Sequence, residues 1–394
     1  MSFRDRAALR SETIAARHAA AQAASSLSVR AWSELEFTAG RVEWLALLAR
    51  SAANPLFMSW AWQWRWWQLH RAALDAELNL LAAYAPDGRL VGLAPLFRHR
   101  ARHRLGLRAE RLEFLGSTFR GAGHTTFSEY LDFIVERGCE TAVLAAFAAR
   151  LREDRLWSDL VFANTPAAGL AARLAQSEFG AECYLRRQDA LTAYVLPLPE
   201  RFETYLAALK PGIRRKVWNR RTRADAPTFR WAEPAEIGGL LERIERFQAA
   251  RWGARAAANL RPFHLGFAAA MAEEQALRLS VLCQGGEPIS ILYNVELDGT
   301  EYNLQSGFDP RVAALSPSYL HFGYCIEHAV GRGVRALDFL AGSGRARAYK
   351  QDFGTEEVGL LTVQVIRAPG LARLYRLYDG VPESVRAFCR APSA

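Results

Sequence analysis

Hydrophobic positions along this chain follow two periods, and the change between them is clearest from Leu277 to Gly354. LRLSVLCQ, PISILYNVEL and EYNLQSGFDP are rich in Val, Ile, Leu and Tyr and are separated by Gly285-Gly286 and Asp298-Gly299. Runs of this kind predict an antiparallel meander of three strands. After Ser316-Pro317 the period lengthens, and Phe322, Cys325, Ile326, Ala329 and Val330 fall on one helical face. Ser316 suits the N-cap and Pro317 the first helical position, with Gly331 and Gly333 as the stop. Val334 to Leu340 predicts another strand. The order is three strands, a helix, a strand.

A similar order is legible upstream. Leu27 to Glu36 predicts a strand and Val42 to Leu48 a helix. Leu78 to Tyr84 and Leu90 to Phe97 predict a hairpin about Pro86-Asp87-Gly88, with RHRARHR after it as a basic loop or strand end. Arg111 to Leu115 and Tyr130 to Val135 predict strands, Thr141 to Leu151 a helix and Trp157 to Ala163 a strand. The repeated order predicts an internal duplication: an Ala/Arg-rich tail over 1–26, one domain over 27–190 and a second over 191–394, joined near Arg186 to Ala193. The expected class is α/β, each half a mixed, mostly antiparallel sheet flanked by helices.

Between these elements lie two unusual stretches. In NPLFMSWAWQWRWWQLH, Trp60, Trp64 and Trp67 share one helical face and Trp62 and Trp66 the other; this is either packing between layers or an aromatic wall for an apolar ligand. The second half opens with a short strand, TAYVLPLP, and an apolar stripe of Phe202, Tyr205, Leu206 and Leu209. Lys210, Arg214, Arg215, Lys216, Arg220, Arg221 and Arg223 follow, with Ile213 and Val217 at i, i+4. That predicts an amphipathic helix whose cationic face is either solvated or phosphate-binding. Gly238 to Gly253 predicts a long helix and RPFHLGFAAAMAEEQ a shorter one.

Composition narrows the function. The chain has 394 residues, 51% hydrophobic and 23% charged, enough for two ordinary globular domains. Its five scattered cysteines contain no CxxC, which indicates neither a zinc site nor a disulfide framework. No apolar run approaches the roughly 20 residues of a membrane span, and a cytoplasmic location is expected. The net charge of +9 favours anionic partners. There is no GxSxG elbow, no GxGxxG after a strand, no GxxxxGK[ST] and no metal-ligand spacing, so no metal is expected.

The start of the Ser316 helix, which follows a strand, leaves unpaired N–H groups where a phosphate could sit. GFDP, SPSYL, DFLAGS and YKQDFG around this point resemble the C-terminal signature of GNAT acyltransferases of the CelD/BcsL branch, and more distantly of Fem-type aminoacyl transferases. Where those families carry SPG, this chain has Ser316-Pro317-Ser318. The resemblance implies tandem GNAT-like domains, with the N-terminal copy lacking the SPxxL and YK features and hence a cofactor. It implies an acyl-CoA-dependent transferase acting on an amino group (or a hydroxyl) of a small metabolite or sugar-type acceptor, by direct attack. An aminoacyl-tRNA or an acidic acyl carrier protein as donor is the alternative, and a non-catalytic assembly partner a third.

The candidate residues follow. Gln305, Ser306 and Gly307 end the third meander strand and could hold a pantetheine arm and thioester carbonyl; Arg311, Arg214, Ser316 and Ser318 could hold the pyrophosphate. The resemblance places Tyr349 and Lys350 at the edge of the donor site, Tyr349 to protonate the leaving thiolate and Lys350 to neutralise the carbonyl or hold a phosphate. Asp338 is expected either to pair with Lys350 or Arg345 or to act as general base. His264, Trp252 and Tyr302 are candidates for the acceptor. Lys350→Ala is expected to lose turnover while staying folded.

Overall fold

The computed structural model describes residues 26–103, 106–117, 128–222, 226–253, 261–342 and 345–381, with only the backbone of 188–190, 222, 252, 345 and 346. In chain order the first half has β1 (Ser28–Trp32), α1 (Glu34–Ala39), α2 (Arg41–Arg50), α3 (Trp60–Leu74), β2 (Glu77–Tyr84), β3 (Leu90–Arg102), β4 (Arg108–Phe114), β5 (Ile134–Val135), α4 (Glu140–Glu153), β6 (Asp159–Pro166) and α5 (Leu170–Glu178). Then come β7 (Tyr184–Pro197), α6 (Phe202–Ala208), α7 (Pro211–Val217), β8 (Thr228–Trp231), α8 (Ile237–Trp252) and α9 (Arg261–Glu273). The chain continues through β9 (Leu277–Gln284), β10 (Glu287–Leu297), β11 (Thr300–Phe308), α10 (Pro317–Gly331), β12 (Ala336–Ala341), α11 (Arg345–Gln351), β13 (Glu356–Ile366) and α12 (Pro369–Gly380).

All strands join one 13-stranded sheet in the order β1-β2-β3-β4-β6-β13-β7-β12-β11-β10-β9-β8, with β5 paired to β3. The two halves repeat one plan. β2, β3 and β4 form an antiparallel meander, and β6 returns parallel to β4 after α4; β9, β10 and β11 do the same, and β12 returns parallel to β11 after α10. The next strand of each half then crosses to the other: β7 pairs with β12, β13 pairs with β6, and β7 and β13 pair with each other at the centre. The halves are therefore sewn together by exchanged strands.

The predicted first strand ends early, at Trp32, because Ser33 and Glu36 form a reciprocal capping box that starts α1. RHRARHR is largely strand: β3 runs to Arg102, with His99, Ala101 and His103 inward and Arg100 and Arg102 outward. The segment expected to join the halves, Arg186 to Ala193, is the middle of β7. Tyr130 to Val135 is strand only at Ile134–Val135.

Two cores cover the two faces of the sheet. On one face the Trp-rich α3 buries Trp62, Trp66 and Trp67, and Trp62 meets Phe263 and Phe267 of α9 with ring centroids 4.7 and 4.9 Å apart. The tryptophans thus pack the two halves against each other. On the other face Phe202, Tyr205, Ile213 and Val217 of α6 and α7 pack with Phe322, Cys325 and Ile326 of α10 and with Leu337 and Phe339 of β12. Gly323 permits this: a Cβ there would lie 2.2 Å from the Val217 carbonyl oxygen, so only glycine lets α7 cross α10 so closely. No described helix is long and apolar enough to cross a membrane.

Candidate functional site

The site starts from a failure of strand pairing. β11 and β12 pair only at Thr300–Tyr302 against Ala336–Asp338. Beyond that point β11 continues to Phe308 and β12 to Ala341, and the two strands part. The divergence is built into β12. Leu340 holds a left-handed φ of 59°, which a leucine seldom adopts, and the register to β7 slips between Asp338 and Ala341. Asp338 stabilises the bulge by accepting the Leu340 N–H at 2.7 Å. Lys350 Nζ donates to the carbonyls of Phe339, Leu340 and Ala341 at 2.5, 2.9 and 2.6 Å. All three ammonium hydrogens are thereby used, and the strand end is clamped to α11.

Asp338 is 3% exposed and points away from Leu337 and Phe339, into the seam between the halves. Lys350 acts on it through its charge while donating its hydrogen bonds to backbone carbonyls, and the Arg345 side chain lies outside the described residues. Tyr130, from the other half, donates its hydroxyl at 2.8 Å. Beside it Glu129, also 3% exposed, accepts the Ala341 N–H with both oxygens at 2.9 and 2.8 Å. Burial pushes the Asp338 carboxyl up to about 6, opposed by the Tyr130 and Leu340 hydrogen bonds and by Lys350. Burial raises Glu129 further, and the Asp338 charge adds to the rise. Burial lowers Lys350 to about 8, opposed by both carboxylates. Two carboxyls and one ammonium therefore share a nearly dry seam in which the carboxylates hold protons at unusually high pH.

Glu129 has no counterpart among the residues predicted from the sequence. The one local signal is a charged residue directly before the run Tyr130-Leu131-Asp132-Phe133-Ile134-Val135, which is apolar but for Asp132. Nothing in that run tells which distant amide it will reach.

At the other end of the opening lies the start of α10. Ser316 stands at the N-cap with φ 51° and ψ 53°, and its side chain does not cap. The expected Ser316 cap is absent because Pro310–Leu315 is a tight helical turn that runs almost directly into Pro317 and leaves Ser316 a left-handed kink. Arg220 donates instead to the carbonyls of Leu315 and Ala314. Lys216 lies 4.7 Å above the Tyr319 ring. Lys210, Arg214 and Arg215 of the same segment are exposed, and no ion pair involves them among the described residues. Ile213 and Val217 are buried, as the i, i+4 spacing predicts.

Tyr349 reaches this helix start. Its ring packs edge-on against Tyr319, at 4.9 Å, and against Phe353, at 5.3 Å. Its hydroxyl is buried beside Ser318, and burial raises its pKa well above the ordinary phenol value, opposed by a hydrogen bond with Ser318. Tyr349 and Lys350 are thus adjacent in chain but serve opposite sides of the opening. Tyr349 and Ser318 meet at the helix start; Lys350 turns inward to the bulge, where its three donors have no capacity left for a donor phosphate.

The remaining candidates divide. Gln305 and Ser306 are half-buried on the free edge of β11, but the Ser306 carbonyl already accepts from Gln248 at 3.1 Å. Gly307 serves close packing: a Cβ would come within 3.1 Å of the Ile244 carbonyl oxygen on α8. Arg311 is 87% exposed in its side chain and pairs with Asp309 at 2.6 Å. His264 is a core residue at the seam, ringed by Trp62, Phe263 and Tyr293, with its pKa lowered to about 4 by burial. Tyr302 pairs with Asp338 across the strands and lies 3.5 Å from Asn54 Nδ2 through its hydroxyl. The Trp252 side chain lies outside the described residues.

Residues 212–351 match the family described as an acetyltransferase (GNAT) domain, the stretch that contains α7, α8, the meander, α10, β12 and α11. A search of curated proteins returns no match. Among solved structures the chain is similar to FemX, at 12% identity over 88% of this chain and 99% of that one, with a TM-score of 0.62. It is also similar to a conserved protein of unknown function from Bacteroides thetaiotaomicron, at 11% identity over 86% of this chain and 99% of that one, TM-score 0.54. The C-terminal domain of a putative lysylphosphatidylglycerol synthetase from Agrobacterium fabrum aligns at 10% identity over 86% of this chain and 95% of that one, TM-score 0.50. At such identities the likeness is one of fold. The fold is a mixed α/β sheet flanked by helices, its two halves repeat one plan, and the GNAT match lies in the second half.

Proposed function

We propose that the chain is an acyltransferase that moves an acyl group from acyl-CoA to an amino group of a small acceptor by direct attack. The observation that supports it most is the parting of β11 and β12 beside the start of α10. An extended pantetheine arm can hydrogen-bond the free strand edges there, with its phosphates toward Ser318, Arg214 and Arg215. The acceptor ammonium loses one proton to the Asp338–Glu129 pair, the freed amine attacks the thioester carbon, and the C–S bond breaks as the C–N bond forms; the second proton shed by the new amide nitrogen replaces the one that Tyr349 gives to the thiolate. Tyr349, at the start of α10 beside Ser318, returns a proton to the thiolate. Lys350 acts as a positioning residue that holds the bulge open. In this reading residues 191–394 bind the donor and 27–190 supply Glu129 and Tyr130 without a cofactor of their own. SPSYL, DFLAGS and YKQDFG favour the CelD/BcsL branch.

The test is thermal: acetyl-, hexanoyl- and palmitoyl-CoA should each be tried, and at least one should raise the melting temperature by several degrees. No shift with any of them would sink the donor assignment. The exposed Lys210, Arg214 and Arg215, with the FemX-like fold, favour a second reading with aminoacyl-tRNA or an acyl carrier protein as donor. That binding would fall steeply between 50 and 200 mM salt, by ~10³-fold or more for a tRNA.

A further inference from the structure

Between the halves lies a pocket of about 510 Å³ that the donor assignment leaves unused. Leu48, Pro55, Met271 and Leu297 supply apolar wall, and Tyr130 and Asp132 line it from the first half. Its charge runs against that of the chain. Asp132, Glu274 and Asp298 line it with Arg137 as the one cation, in a protein of net charge +9. Asp132 is 8% exposed, and its oxygens accept the backbone N–H groups of Phe133, Leu170 and Ala171, at 2.9, 2.8 and 2.7 Å. Glu274 and Asp298 each share an arginine, Arg41 at 2.6 Å and Arg335 at 3.7 Å, that is not part of the lining. On the lining itself three carboxylates face one guanidinium, while Arg41 and Arg335 stand behind two of the carboxylates and Arg173 acts on the third.

Tyr130 connects this space to the chemistry. It lines the pocket, and its hydroxyl is 2.8 Å from Asp338 at the apex where β11 and β12 part. Asn54, also in the lining, lies beside the Tyr302 hydroxyl next to the same aspartate. The pocket therefore reaches to within one side chain of the base.

We propose that this pocket holds the acceptor, and that the acceptor is a small primary amine, bound as its ammonium, on an apolar body. The assignment rests on the acyl-transfer reading and sharpens it. It separates the two substrates by charge: the anionic donor lies on the basic α7 side and the cationic acceptor on the acidic seam. It also disfavours sugar nucleotides, whose phosphates would face carboxylates in a partly dry cavity.

Isothermal titration of the full chain with butylamine, phenethylamine and octylamine, each beside the matching alcohol, tests the proposal. At least one amine should bind ten times more tightly than its alcohol. Asp298→Asn should shrink that preference several-fold. Ala52→Trp, placed on an exposed residue of the lining, should weaken amine binding at least tenfold while the melting-temperature shift by a CoA thioester is unchanged. Equal binding of amines and alcohols, no binding by any amine, or binding indifferent to Ala52→Trp would overturn the assignment even if the donor shift is seen. A missing donor shift in the native protein counts against the donor reading, and the amine titrations still decide the pocket.

Discussion

Removing one hydroxyl should show whether Asp338 works as a charged group. Tyr130→Phe deletes the 2.8 Å donor to Asp338 and leaves the buried carboxyl only the Leu340 N–H, at 2.7 Å. A hydrogen bond to a charged group contributes about 1.5–3 kcal/mol and one to a neutral group about 0.5–1.5, so the loss depends on ionisation. The folded Asp338 carboxyl, pushed up to about 6, lies above its unfolded value of 3.8. The folded state thus binds the proton more tightly, and stability falls as pH rises from 3.8 to 6 and is level above. Without the Tyr130 hydroxyl the folded value rises further, by about one unit for each 1.4 kcal/mol lost. The decline then extends to a higher pH. Urea denaturation of the native protein and Tyr130→Phe at pH 5, 6, 7 and 8 should show a small gap at pH 5 that widens by about 1 kcal/mol by pH 8. A gap constant with pH, or larger at pH 5, would refute the ionised pair.

Further outcomes follow from the same geometry. Lys350→Met leaves three carbonyls at the β12 bulge without donors, so it should destabilise the protein by about 3 kcal/mol or more, read as a lower melting temperature; this replaces the expectation that a Lys350 variant stays folded. Glu129→Gln removes a carboxyl whose folded value, about 8, lies above its unfolded 4.5; native stability should fall as pH rises through that window. The melting temperature of Glu129→Gln relative to native should therefore climb from pH 4.5 to 8 and then level off, and a flat difference would contradict the buried pair. Gly323→Ala drives a methyl into the Val217 carbonyl, so it should cost about 1–3 kcal/mol and weaken donor binding by lifting α7. Arg214→Glu with Arg215→Glu should weaken CoA thioester binding about tenfold at low salt, with the effect shrinking toward 0.5 M salt as screening grows.

The periods of 2 and 3.6 in the sequence determined most of the elements: the β9–β11 meander, α10 with its buried Phe322, Cys325 and Ile326, the β2–β3 hairpin and the apolar seam of α7. These are local consequences of which face must be buried, and the repeated order of elements carried the duplication. Signals that compete locally were harder to read, such as Ser33 and Glu36 capping a helix inside an apparent strand. Only the tertiary structure decided what crosses between the halves. No local pattern shows that β7 and β13 exchange partners, since the energy of a strand pair depends on the strand it meets. The same holds for the site. Asp338 was legible as a buried carboxylate in need of a partner, but Tyr130 and Glu129 lie more than two hundred residues away in the chain, and only the packing of the two halves brings them together. Tyr349 and Lys350 were legible as a pair, yet their opposite directions come from the turn of α11 against a strand bulge, a geometry that residue spacing does not encode.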